Sequence, residues 1–206
     1  IVVGGTGLYF KALTEGLVKI PNIPIKVRNK IRQLQKKIGQ KKFFKKLINF
    51  DTLVKNKIDK NDVQRSIRAY EIKYQTKKSI FDWFKKTKIL FPSNEFIKFY
   101  IDYPREDLIK RINLRVEHMF KDGAIGEVKR FNRLKVKKEN SSNKVIGIKE
   151  ITDLLNKRCT LKQTKELIAI KTRQYAKRQA TWARGQMWSW QKINPKNLSL
   201  ALKKLK

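Results

Sequence analysis

Of 206 residues, one is cysteine and one is histidine. Cys159 alone cannot build an internal disulfide framework, and so sparing a use of cysteine fits a reducing compartment. His118 alone excludes a zinc site of several histidines, and any Ser-His-Asp triad would have to use it. Asp and Glu together number only 17, and Glu15 and Glu71 stand as isolated acids, with no sign of paired-carboxylate catalysis. No apolar run approaches the ~20 residues of a membrane-spanning helix. The pattern G-x-x-x-x-G-K-[ST] is missing, and nothing at the amino terminus reads as a signal peptide. The sequence opens at Ile1, without Met, directly into an apolar run. A cytoplasmic protein without a membrane segment, and a chain that is a piece of a longer one, are the expectations.

Positive charge is what the sequence has in excess. Lys and Arg total 51, the formal net charge is +34, and the isoelectric point is about 10.4. Such a field favours a polyanionic partner, and nucleic acid first. Lys supplies 38 of these cations, a number that the codon bias of an AT-rich genome also produces, so the 13 Arg are the informative ones. The chain can still bury a core, with 11 Phe, 6 Tyr and 4 Trp among 40% hydrophobic residues.

Residues 1–17 predict the end of a strand, a glycine turn (Gly4, Gly5, Gly7) and a short helix. After the two-proline connector KIPNIPI, the steps Val27, Ile31, Leu34, Ile38 predict a helix, interrupted near Gly39 and resuming with Phe43, Phe44 and Leu47. Asn61-Asp62 offers a cap to a helix bearing Val63, Ile67, Tyr70 and Tyr74, and a third helix is expected over 78–86. FIKFYID, at 96–102, has strand character. Pro104 starts a helix that stops near Asp122-Gly123, and another is expected over 125–134. KVKKENSSNK reads as a polar loop, VIGIKEI leads into a short helix, and a long helix is expected over 164–187. Strand material flanking an all-helical stretch suggests an α/β core (1–19 and 91–206) carrying a helical insertion (20–90).

Three constellations concentrate Arg, Gln and aromatics. In NDVQRSIRAYE, Gln64, Arg68 and Arg65 lie at about 100°, 140° and 200° from Val63, on an arc beside the apolar stripe. Forked guanidiniums and an amide suit an anion or a base edge, although a solvated face with surface ion pairs fits the same pattern. In KTRQYAKRQATWARGQ, Arg173, Lys177 and Thr181 form a row, and Arg178 sits three residues from Tyr175 and four from Trp182, within stacking reach of either. Cations interleaved with rings are a footing for unstacked bases; burying that face would also bury Arg178. In PREDLIKRINLRVEHMF, Arg115 falls about 20° from Leu108, where it needs a carboxylate such as Glu127 or a phosphate.

Taken together, GGTGLYFKALTEGL, NDVQRSIRAYEI, PREDLIKRINLRVEHMFKDGAIGEV, VIGIKEI and TRQYAKRQATWARGQ resemble the tRNA dimethylallyltransferase (isopentenyltransferase) family, in order and spacing along nearly the whole chain. The resemblance implies a P-loop-NTPase-like core, partial here, with an all-helical insertion that grips the anticodon stem-loop; this chain would be mostly helical. It implies transfer of dimethylallyl from its diphosphate to the exocyclic amine of the adenosine 3′ of the anticodon, by a monomer using Mg²⁺. By that resemblance Thr6 matches the threonine facing the reacting adenine. Arg28, Gln64, Arg65, Arg68, Lys144, Gly147, Lys149, Lys177, Arg178, Gln179, Trp182 and Arg184 fall in tRNA-contacting positions or segments. A departing diphosphate needs cations aimed at it, and Arg173 and Arg115 suit the task. The family's phosphate loop, which invites ATP binding, and its general-base aspartate lie upstream of GGT, so most Mg²⁺ ligands are expected outside this chain. On its own it is expected to be inactive, and a catalytically silent RNA binder is the alternative. Ile148 replaces the family's usual Tyr, Lys77 its Gly and Tyr70 its Leu.

Overall fold

Each long helix predicted from apolar spacing is present, with ends set by local chemistry. The computed structural model describes residues 1–137 and 140–203, apart from the side chain of Ser93. The polar loop expected over KVKKENSSNK includes 138 and 139, and the carboxy-terminal tail includes 204–206; these lie outside the described residues. The chain divides into two compact units, one of Ile1–Gly7 with Ile97–Lys206 and one of Leu8–Phe96.

The unit of Leu8–Phe96 is helical. It holds all but the first residue of α1 (Gly7–Glu15), then α2 (Ile25–Phe50), α3 (Val63–Thr76) and α4 (Ile80–Phe84). Gly39 breaks α2 with φ 75° and ψ 163°. Counting about 100° per residue, Phe43 and Leu47 would point roughly 150° away from Val27, Ile31, Leu34 and Ile38 on a straight helix. The glycine kink turns the second half so that Ile31, Phe43 and Leu47 enter one core with Val54, Ile67, Ala69 and Ile72. Gln40, just past the kink, fastens α2 to the start of α3 by donating to Lys60 O (2.8 Å) and Ser66 Oγ (3.1 Å). Asp62 caps α3 as its position predicts, accepting from Arg65 N at 2.9 Å.

The other unit carries a two-stranded parallel sheet, β1 (Phe99–Ile101) and β2 (Gln191–Ile193), registered Phe99 to Gln191 and Ile101 to Ile193. Between them run α5 (Arg105–Lys121), α6 (Ala124–Arg133), α7 (Ile148–Leu155) and α8 (Leu161–Gln186), and α9 (Leu198–Lys203) follows. Ile112, Val116, Val128, Ile151, Ile168 and Ala169 form its core. Three expectations change. Residues 1–3 form no strand and are exposed, because strand character is expressed only where a neighbour supplies hydrogen bonds, and none pairs with them among the described residues. The long helix starts three residues early, since Thr160 and Gln163 make a capping box. Beyond 187, where the sequence predicts no element, the chain adds β2 and α9.

Candidate nucleic-acid interface

In the first unit, α8 is pinned to the glycine turn by two side chains. Gln179 Nε2 donates to Gly5 O at 2.9 Å. A Cβ on Gly7 would fall 2.0 Å from a ring carbon of Trp182, so only glycine lets the half-buried indole approach the turn this closely. Thr6, exposed between these glycines, is thereby held beside the Gln179–Trp182 stretch. Tyr175 and Trp182, expected as alternative partners of Arg178, divide the work. The Arg178 guanidinium lies 5.7 Å from the Tyr175 ring centre, whereas Trp182 packs on Gly7. Both Arg178 and Tyr175 are exposed, so no cation is buried on this face.

Arg173 is half-buried and donates from Nη1 to Asn113 Oδ1 on α5 (3.3 Å), while Lys177 is exposed and Arg184 donates from Nη2 to Thr181 Oγ1 at 3.5 Å. Arg115 departs from expectation. It is exposed, and among the described residues no ion pair joins it to Glu127. The buried line of α5 is centred on Ile112 and Val116, about 60–100° from Arg115, so Leu108 marks the edge of the stripe and not its middle. Exposed to water, its charge needs no partner in the protein.

The turn before α7 depends on a buried acid that sequence reasoning passed over. Glu150 is 4% exposed; its Oε2 accepts from Gly147 N (2.8 Å) and its Oε1 from Lys171 Nζ on α8. Gly147 has φ 110°, a conformation closed to most side chains. Burial alone would raise the Glu150 carboxyl, but the bonds from Lys171 and Gly147 hold it below its ordinary value. With the turn fixed in this way, Lys144 and Lys149 are presented to solvent. The G-x-x-E spacing, which puts the acid at the third position of the helix, was the available signal.

The other unit holds Arg28, Gln64, Arg65 and Arg68. Gln64 and Arg65 are exposed, Arg65 pairing with Asp62 at 3.4 Å. Arg28 donates to Asn22 Oδ1 at 3.5 Å, and its buried Nε has no hydrogen-bond partner among the described residues. Arg28 and Arg68, with Lys19 and Asn22, line an open recess of about 560 Å³. Glu71, which the sequence presents as an isolated acid, lies buried behind Arg68. It falls about 80° from Val63, within 40° of Ile67, so a helical wheel already turns it inward.

A second recess, of about 210 Å³, is confined to the first unit and lined by Tyr100, Asp102, Arg184, Trp188 and Lys192 among others. Burial, then Asp102, raise the Tyr100 phenol, and Arg184 opposes them. Apart from Arg184, these residues gave no sequence signal. Among the described residues no cluster of three or more His, Cys, Asp or Glu could hold a metal ion.

The chain is 59% identical over 206 residues to the tRNA dimethylallyltransferase of Pelagibacter ubique (strain HTCC1062), covering all of this chain and 66% of that protein. It is 41% identical over 189 residues to the enzyme of the same name from Rickettsia massiliae (strain Mtu5), covering 91% and 52%. The chain thus spans about half to two thirds of these curated relatives. Among solved structures, a eukaryotic dimethylallyltransferase acting on tRNA superposes with a TM-score of 0.65 at 27% identity, over 87% of this chain and 46% of that one. The full-length tRNA isopentenylpyrophosphate transferase of Bacillus halodurans gives 0.54 at 26% identity, over 92% and 57%. Residues 1–186, from the glycine turn through α8, match the family described as IPP transferase, and the chain belongs to that family.

Proposed function

We propose that this chain carries the RNA-gripping and adenine-facing part of a tRNA dimethylallyltransferase. In the reaction, the exocyclic amine of the adenosine 3′ of the anticodon attacks the allylic carbon of dimethylallyl diphosphate. The carbon–oxygen bond breaks, a nitrogen–carbon bond forms, and the amine loses a proton. The leaving diphosphate gathers negative charge, which cations must meet. Arg173, braced by Asn113, and the exposed Arg115 are suited to it. Thr6 would face the adenine. The base must first leave its stack, at a cost of a few kcal/mol. Phosphate contacts from Arg28, Arg65, Arg68, Lys144, Lys149, Lys177 and Arg184 would offset that cost, with Gln64 and the Arg178–Tyr175 pair offered to bases.

On this reading the β1–β2 pair and its helical crossover belong to a P-loop-NTPase-like core. Mg²⁺ would be held mainly by parts of the whole enzyme outside this chain. The observation that carries the proposal is the pinning of Thr6 beside α8 by Gln179 and Trp182.

The test mixes the chain with an anticodon stem-loop bearing that adenosine, dimethylallyl diphosphate and Mg²⁺, and reads gel retention and RNA mass. Retention that depends on the loop supports the RNA-gripping role, and a mass gain of one dimethylallyl group supports the enzyme. Retention no better than for an unrelated duplex of equal length overturns the proposal.

A further inference from the structure

Behind the exposed cations of α3 sits a carboxylate nearly cut off from water. Glu71 is 2% exposed. Arg32 reaches it from α2, Nε to Oε1 at 3.6 Å, and Arg68 from its own helix, Nη1 to Oε2 at 3.7 Å. Neither approach is a hydrogen bond, and Oε1 is buried without a hydrogen-bond partner among the described residues, so the attraction is Coulombic. A buried carboxylate is costly unless cations compensate it. Here one anion serves two guanidiniums, and one positive charge is left over. Both arginines keep a wet side, with side chains 54% and 39% exposed.

Arg28 stands one helical turn before Arg32 on α2, and with Arg68 it lines the recess of about 560 Å³. Long surface cations ordinarily wander and lose much entropy on contact. An anion held behind two of them limits that wandering without consuming their outward N–H groups. A phosphate oxygen pair matches such a fork.

We infer that Glu71 is a positioning residue which fixes Arg32 and Arg68 as a paired guanidinium seat for one RNA phosphate. Arg32 is thereby a backbone contact of the tRNA, next to Arg28 and Arg68. The inference rests on the tRNA reading above and deepens it.

A carboxylate that only stabilises the fold makes the opposite prediction for RNA. Glu71→Gln removes a negative charge from a region that binds a polyanion. By charge alone it tightens binding and leaves the salt dependence as it was. If Glu71 positions the seat, the same substitution weakens stem-loop binding by about tenfold, the loss of one charge-assisted contact. The slope of log affinity against log salt then becomes shallower by about 0.7–0.9.

The experiment titrates the 206-residue chain against an anticodon stem-loop at several NaCl concentrations. It compares wild type, Glu71→Gln, Arg32→Gln, Arg68→Ala and the pairings of Glu71→Gln with each arginine variant, with a thermal melt of every variant. The expected result is weaker and flatter binding for each single variant, and a smaller effect of Glu71→Gln once either arginine is gone. Wild-type binding with Glu71→Gln equal or tighter, at unchanged slope, overturns the inference alone. Should Glu71→Gln fail to fold, the more exposed Arg32→Gln decides, and unchanged affinity and slope there overturn the inference. A wild-type chain that does not hold the stem-loop overturns the tRNA reading and the inference with it.

Discussion

Glu150 is a carboxylate that the fold has taken out of water and then surrounded with donors. Its folded pKa lies below the ordinary 4.5, so the ionised form adds stability at neutral pH. That contribution is lost as pH falls below about 4.5 and through the depressed folded value. Glu150→Gln should therefore lower the unfolding free energy at pH 7 by about 1–2 kcal/mol, a figure discounted because Lys171 is half-exposed. The gap between wild type and variant should close as pH is lowered through that window, which urea unfolding at a series of pH values would follow. A gap that stays constant with pH would assign the residue a packing role only. The sequence showed the groups here and not their coupling: Lys171 and Glu150 are 21 residues apart, and only tertiary packing of α7 on α8 makes them neighbours.

At the scale of elements, two glycines separate backbone need from space. A Cβ added at Gly39 or at Gly185 meets nothing within 4 Å, but Gly39 has φ 75° and Gly185 lies within α8. Gly39→Ala should cost about 1–3 kcal/mol through backbone strain alone. Gly185→Ala should stabilise by about 0.4–1 kcal/mol, by reducing the freedom of the unfolded chain. Denaturant melts of the two variants test this, and equal signs would refute it.

The break near Gly39 was legible because the apolar spacing slips across it, and the helix positions of α3, α5 and α8 were legible because 3.6-residue periodicity is local. Strands were less so. FIKFYID became β1 because β2 lies beside it, whereas the equally apolar Ile1–Val3 has no such neighbour among the described residues. β2, QKI, is too short and polar to announce itself. The site followed the same division. The α8 row and the N-cap of α3 could be read from spacing, while the Gln179–Gly5 bond and the Glu71 and Glu150 pairs join residues that only the fold brings together or buries.

For the whole molecule, 51 cations against 17 anions leave two thirds of the positive charge uncompensated by carboxylates. The excess repels itself in the folded state and attracts a polyanion, and salt screens both, with a Debye length of about 10 Å at 0.1 M. The two consequences have opposite signs. Adding NaCl should raise the unfolding temperature of the free chain, because the compact state concentrates like charges more than the unfolded one. The same addition should weaken the stem-loop complex, because counterions released from the RNA must be returned to a saltier solution. If Arg28, Arg65 and the Arg32–Arg68 pair each meet one phosphate, these three contacts alone give a slope of about −2 to −3 in log affinity against log salt. Scanning calorimetry of the chain and affinity titrations over the same NaCl series read both signs on one preparation. A melting temperature that fell with salt would show that specific ion pairs, such as those of Glu71 and Glu150, outweigh the general repulsion. A slope near zero would leave the arginine face without a role in holding RNA, since no arrangement of phosphate contacts can bind without releasing ions.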